Sequence, residues 1–253
     1  MRTILVIGIG AGNPDYLTVQ AINAMNRAAV FFMPDKGAEK AGLNAIRLQM
    51  LDKFVREPSY RLVDFAIPSR RRAATPDYRE SVDEWRGKLE AAYERMFSEL
   101  PEDGTGAFLV WGDPTLYDGT LRILKDMQAA GWDIAIEVIP GISAPQALAA
   151  QHQVTLNRVG EAVTITTGRR VGEGEADGLS SAVVMLDNHQ QFQRFADDSA
   201  EIFWGAYLGT EDEILVAGKV SEVMGEIDTK RTEAQARNGW VMDTYMIRKP
   251  EKD

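Results

Sequence analysis

The chain has 253 residues, 45% hydrophobic and 26% charged, which excludes a disordered or fibrous protein and suits one large or two compact domains. It has no Cys, and its two His, His152 and His189, stand well apart, so disulfides and cysteine nucleophiles are excluded and no metal site is expected. With 28 basic against 38 acidic side chains, net charge -10, duplex nucleic acid is disfavoured, and an anionic ligand needs a local basic patch.

Residues 3–8, Thr3-Ile-Leu-Val-Ile-Gly8, form a short continuous apolar run stopped by glycine, the pattern of a fully buried parallel strand. The run is too short to span a bilayer and ends in glycines rather than a cleavage site. No membrane or targeting segment is therefore expected, and cytoplasm is the default compartment. Leu17, Ala21, Met25 and Ala28 follow at helical spacing, and residues 30–33 before Pro34 read as a second strand, completing a βαβ unit. Thr75 and Pro76 can open a longer helix whose Val82, Trp85, Leu89, Tyr93 and Met96 share one face. Residues 106–111 read as a strand, 121–130 as a helix with Gly131 at its C-terminal cap, and 134–139 as a strand stopped by Pro140-Gly141. Strands at 162–167, 182–186 and 202–208 with helices between them, then a β-rich stretch at 240–247, complete an α/β pattern. Glycine, proline and acidic residues cluster after the strand at 106–111, which places a domain boundary there: 1–115 and 116–253.

Three glycine loops stand at predicted strand ends, where open α/β sheets bind ligands. Gly8-Ile-Gly10-Ala-Gly12 resembles a dinucleotide fingerprint but lacks its third glycine, since Asn13 or Asp15 stands there. Asn13-Pro-Asp15 also delays helix entry, and Asp15 would repel a pyrophosphate. Trp111-Gly112-Asp113-Pro114 is the second loop. Pro140-Gly-Ile-Ser143-Ala144 is the third, with Ser143 as a helix cap. Any one of these is an ordinary turn; three together point to one crevice.

Gly8 to Gly12 with Asp15-Tyr-Leu-Thr18, then Gly112-Asp-Pro114, then Val138-Ile-Pro-Gly-Ile-Ser143, resemble in order and spacing the tetrapyrrole methylase family. The resemblance covers nearly the whole chain. It implies two α/β/α domains with S-adenosyl-L-methionine in the cleft between them, S-adenosyl-L-homocysteine as product, no metal, and a cytoplasmic homodimer. Ala107-Phe-Leu-Val-Trp-Gly-Asp-Pro-Thr-Leu-Tyr-Asp118, Ile165-Thr-Thr-Gly-Arg-Arg170 and Gly239-Trp-Val-Met-Asp-Thr-Tyr245 resemble one branch of it. That branch acts on precorrin-5 in cobalamin synthesis, methylating C1 of the macrocycle and expelling the acetyl unit as acetate.

The resemblance implies cofactor contacts at Gly10, Ala11, Gly12, Trp111, Gly112, Asp113, Leu116, Ser143, Ala144, Met185, Leu186 and Ala206. Trp111 replaces a residue that is small elsewhere in the family. Methyl transfer from a sulfonium needs alignment more than acid–base help, whereas deacetylation needs a base for water and a donor for the oxyanion. Some relatives place an acidic base after the second strand; here Asp35 is nearest, one residue beyond the matching Pro34. Asp15, Tyr117 and Asp118 are the other candidates, and capping or surface roles compete for each. The carboxylates of a tetrapyrrole substrate need cations, and Arg70, Arg71, Arg72, Arg169 and Arg170 are the local exceptions to the acidic balance, if they are not simply solvated. The alternatives are a family member acting on another precorrin carbon or on a protein or RNA, a nucleotide-dependent oxidoreductase, and a non-enzymatic binding module.

Overall fold

The computed structural model describes residues 1–35, 41–57, 59–66 and 78–250. By internal contacts the chain divides into two units, residues 1–10 with 14–141, and residues 11–13 with 142–253.

The first unit holds strands β1 (Arg2–Gly8), β2 (Val30–Asp35), β3 (Arg61–Ala66), β4 (Thr105–Val110) and β5 (Ile134–Ile139). All pairs are parallel, in the order β3-β2-β4-β1-β5. Helices α1 (Val19–Met25), α2 (Ala41–Phe54), α3 (Tyr78–Ser98) and α4 (Thr120–Ala129) connect them. β1 reads as a continuous apolar run because both its faces are covered. Ile4 and Val6 join a core with Tyr93 and Phe97 of α3 and Leu124 of α4. Leu5 and Ile7 join another with Ala21 and Met25 of α1 and Met50 and Leu51 of α2. As expected, helix entry after β1 is delayed: Pro14–Tyr16 form a 3₁₀ turn, and α1 begins only after Thr18, whose hydroxyl accepts from the Ala21 N–H at 3.0 Å.

The second unit holds α5 (Ala144–Gln151), β6 (Thr164–Thr167), α6 (Gly168–Gly172), β7 (Ser181–Met185), β8 (Glu201–Ala206), β9 (Ile214–Lys219), α7 (Val220–Asn238) and β10 (Asp243–Arg248). Its sheet runs β6-β7-β10-β8-β9, with β6 parallel to β7 and the remaining pairs antiparallel. Trp204, Tyr245, Phe192 and Ile227 pack its core.

The α/β class stands, with two sheets. The division at 115/116 is corrected: β5 pairs with β1 along its length, so residues 116–141 complete the first sheet. The Gly/Pro cluster at 114–119 is a strand-end loop within a βαβ unit, and no linker. Thr75 and Pro76 lie outside the described residues, as do the side chains of Val82, Trp85 and Leu89. Among the described residues no helix is long and apolar enough to cross a membrane.

In the second sheet Asp243 accepts from the Trp204 indole N–H and from Arg231 Nε, each at 3.1 Å. Burial raises the Asp243 pKa, while Arg231 and Trp204 oppose the rise. Arg231→Ala strands this carboxylate and is expected to cost about 3–5 kcal/mol near neutral pH. A folded-state pKa above the unfolded value of about 3.9 means stability is fully present below that value and lost as pH rises through the folded pKa. Urea denaturation across pH should therefore show the Arg231→Ala deficit shrinking as pH falls.

Candidate active site

In the first unit, β4, β1 and β5 lie side by side and parallel, so the loops that follow them leave from one edge of the sheet. Their glycines meet backbone to backbone. A Cβ on Gly8 would lie 2.6 Å from the Gly141 nitrogen and 2.9 Å from the Gly112 oxygen, and one on Gly141 would overlap the Gly112 carbonyl. Gly10 and Gly112 exchange both backbone hydrogen bonds, at 3.2 and 2.8 Å, with φ of 78° and 69°. That left-handed backbone is where glycine carries no Cβ penalty.

Asp113 fastens this contact. One carboxylate oxygen accepts from the Gly141 N–H at 2.9 Å. The other accepts from the Thr115 N–H at 2.8 Å and from the Thr115 hydroxyl. Burial alone would raise the Asp113 pKa, but the bonds from Thr115 and Gly141 together outweigh it and hold the carboxyl below its ordinary value. Both oxygens are thus engaged within the loops. Trp111 is half-buried against the α1–α2 core, and the half-buried Leu116 donates its N–H to the Asp113 carbonyl at 3.2 Å.

The candidate acids separate. Asp118 is exposed and accepts from the Thr120 N–H at 2.8 Å, capping the start of α4. Asp15 pairs with Lys53 at 2.8 Å on the surface. Tyr117 is 47% exposed on left-handed backbone, φ 54°. Non-glycine residues avoid that region, and such outliers gather at functional sites. Asp35 closes β2, in register with Ala66, and its side chain lies outside the described residues.

Arg47 escaped the sequence reading. It is 5% exposed, donating through Nε to the Leu109 carbonyl at 3.0 Å and through Nη1 to Asn44 Oδ1 at 3.0 Å. Burial draws its pKa down to about 10, with Asp118 opposing the fall. A signal existed: Arg47 stands four residues after Leu43, three before Met50 and four before Leu51, a charge inside the apolar stripe of α2.

Ala11 is buried, and a Cβ on Gly12, at φ 141°, would lie 2.6 Å from both the Leu208 oxygen and Thr210 Cγ2. Ser143 occupies the cap position of α5, but its hydroxyl bonds the Gln146 side chain rather than a helix N–H. Ala144 begins the helix. Met185 ends β7, and the next residue, Leu186, is 62% exposed with φ 55°. Ala206 ends β8, fully buried, before Tyr207 at φ 50°. Bulky side chains on left-handed backbone follow both strands, Leu186 at a predicted cofactor position and Tyr207 next to one.

Of the predicted cations, Arg70, Arg71 and Arg72 lie outside the described residues. Arg169 pairs with Glu173 at 3.3 Å, and Arg170 with Glu173 at 3.0 Å and Glu175 at 2.5 Å. Those two partners raise the Arg170 pKa. Among the described residues no group of three or more His, Asp or Glu could hold a metal ion.

A family model described as tetrapyrrole (corrin/porphyrin) methylases matches residues 3–224. The chain is 51% identical over 251 residues to a deacetylating precorrin-6A synthase of Sinorhizobium sp, covering 98% of this chain and 96% of that protein. Its fold matches the crystal structure of a cobalamin synthesis related protein, CobF, from Corynebacterium diphtheriae, with a TM-score of 0.85 and 37% identity, covering 99% and 100% of the two chains. A uroporphyrin-III C-methyl transferase from Thermus thermophilus, complexed with S-adenyl homocysteine, shares the fold at a TM-score of 0.57 and 15% identity, over 97% and 96% of the chains.

Two stability outcomes follow from the packed loops. Gly141→Ala is expected to cost about 1–3 kcal/mol, because the added Cβ meets backbone that cannot yield freely. Gly42→Ala, on α2 with nothing within 4 Å, is expected to gain up to about 1 kcal/mol. Urea denaturation separates them. The depressed Asp113 carboxyl contributes stability above its unfolded pKa of about 3.9 and loses it as pH falls through the lower folded value. Asp113→Asn should accordingly remove part of the acid-limb loss in a pH series.

Proposed function

The chain belongs to the tetrapyrrole (corrin/porphyrin) methylase family, and we propose that within it the protein acts as a deacetylating precorrin-6A synthase. The reaction takes precorrin-5, S-adenosyl-L-methionine and water to precorrin-6A, S-adenosyl-L-homocysteine and acetate. What carries the reading is 51% identity spread over 98% of the chain, on a first unit whose three motif loops pack as one.

The chemistry of the loops supports a cofactor site there. Adenosine needs apolar walls and a few precisely placed polar groups. Gly10 and Gly112 put no side chain over their own backbone, Trp111 supplies an apolar face, and the Asp113 carboxylate is already engaged. In this reading Asp113, Gly12, Leu116, Ala11, Ser143, Ala144, Met185, Leu186 and Ala206 keep the cofactor contacts that the family resemblance implies. When bound, the cofactor would supply an electrophilic methyl group carried on a positively charged sulfonium sulfur.

For methyl transfer the residues of the chain therefore align groups and exclude water. Deacetylation asks for more. Water adds to the acetyl carbonyl, its proton goes to a base, and the bond from acetyl carbon to ring carbon breaks with its electron pair moving into the ring. Asp35 is the proposed base, at the end of β2, because Asp15 and Asp118 serve Lys53 and the start of α4 instead. Tyr117, exposed on strained backbone, is the second candidate. Arg70, Arg71, Arg72, Arg169 and Arg170 hold the carboxylates of the macrocycle in this reading, and the working state is a cytoplasmic homodimer as in the family.

Incubation with precorrin-5 and methyl-labelled cofactor, followed by mass analysis and an acetate assay, tests the proposal. Equal amounts of methyl gained and acetate released are expected. Methyl gain without acetate would keep the family and move the reaction to another precorrin carbon. NADH binding without S-adenosyl-L-methionine binding, by calorimetry, would overturn the reading altogether. Arg71→Ala combined with Arg72→Ala is expected to raise KM for precorrin-5 and leave cofactor affinity unchanged.

A further inference from the structure

β2 does not end where its pairing with β4 ends. It stays in register with β3 through Asp35↔Ala66, but pairs with β4 only as far as Phe32↔Phe108. Pro34 follows, with no N–H to extend a ladder. Beyond that point side chains of α2 take over. Arg47 Nε donates to the Leu109 carbonyl of β4 at 3.0 Å, and Asn44 Nδ2 donates to the Pro34 carbonyl of β2 at 3.2 Å. Arg47 Nη1 donates to Asn44 Oδ1 at 3.0 Å and closes the chain of three bonds. A side-chain bridge thus spans two strand ends that no longer pair with each other.

The choice of residue is costly. Arg47 is 5% exposed, and among the described residues its hydrogen bonds go to neutral oxygens rather than to a carboxylate. Replacing a buried charge by an apolar side chain of similar volume is often neutral or stabilising, so packing alone does not call for arginine here. Its planar fork does what an apolar residue cannot: it addresses two acceptors in fixed directions.

We propose that Arg47, acting through Asn44, is a positioning residue that fixes the gap between the end of β2, which carries Asp35, and the end of β4, which leads into Trp111-Gly112-Asp113. It thereby sets the distance from the base to the cofactor loop. The inference rests on the function proposed above and adds a residue that touches neither substrate nor cofactor.

Arg47→Met, Asn44→Ala and the double variant test it in the full-length protein. Melting temperatures are expected to stay within about 4 °C of the parent. Amide hydrogen exchange of residues 109–113, measured without substrate, should quicken by about tenfold, with β5 and the second sheet unchanged. On precorrin-5, kcat should fall by about a hundredfold, as for an ångström of misplacement. KM for both substrates should stay within about threefold. Arg47→Lys should not rescue, since a point charge cannot make the fork. The double variant should be no worse than the worse single, because both residues serve one bridge.

Unchanged exchange at residues 109–113 would overturn the inference, as would a kcat loss matched by falling Tm, or additive effects in the double variant. If Arg47→Met fails to fold, Asn44→Ala carries the same readouts with the charge in place. If the parent protein releases no acetate from precorrin-5, the proposed function fails, and hydrogen exchange still decides the bridge by itself.

Discussion

The first unit depends on one constraint: three strand ends close together only if their backbones touch. Gly8, Gly112 and Gly141 are far apart in sequence and meet because β4, β1 and β5 are neighbours in the sheet. A side chain at Gly8 or Gly141 would occupy the space of another loop's peptide group. Buried peptide groups brought this close also need partners, and the Gly10–Gly112 exchange and the Asp113 bond to Gly141 provide them. Asp113 is then a fastener. Its anion is kept ionised by the loops it holds, so loop geometry and protonation state are one property of the molecule.

The same sheet edge behaves in opposite ways on its two sides. At β4, β1 and β5 the backbones are cinched together; at β2 and β4 they part after Phe32 and Phe108. In the proposed function the methyl donor needs a well-ordered seat, and the closely packed loops of the cinched side suit that part. In the proposed function a bulky macrocycle and a water molecule need room near a base, and the end of β2 at Pro34 and Asp35, beyond its pairing with β4, is where the proposal puts them. Holding that room at a fixed width takes structure of its own. The backbone ladder cannot do it, so directional side chains must, and Arg47 and Asn44 fill that place.

What could be read from the sequence was whatever local chemistry decides. β1 was legible because a strand buried on both faces is apolar throughout, and the glycine loops because left-handed or touching backbone leaves few other residues. β3 escaped because an edge strand is half exposed and mixes polar with apolar residues, as Leu62 and Asp64 do. The chain division escaped for a longer-range reason. Whether residues 134–139 belong with the strand before them or with those after is decided by pairing across the sheet, with β1. The last strand, β10, lies in the middle of its sheet for the same reason. Among the candidate residues, Asp118 and Asp15 looked like free acids in one dimension, and the fold spends one on a helix start and the other on Lys53. Arg47 was visible only as a misfit within an apolar stripe, and misfits of that kind are where local rules yield to the site.

The acidic balance of the chain bears on how a polycarboxylate substrate could be held at all. Exposed cations in both units already have partners: Arg27 with Glu137, Arg61 with Glu99, Arg169 and Arg170 with Glu173. Such pairs look like competitors for the substrate, but their strength decides otherwise. An exposed ion pair is worth at most about 1 kcal/mol, so exchanging a glutamate for an incoming carboxylate costs little. In the proposed function Arg169 and Arg170 can therefore give up Glu173 for a substrate carboxylate. Arg47 is the opposite case, since its bonds are buried and its acceptors neutral, and no substrate carboxylate can displace them without undoing the strand ends. On the proposals made above, the two kinds of arginine divide the work: exchangeable ones for recognition, a fixed one for geometry.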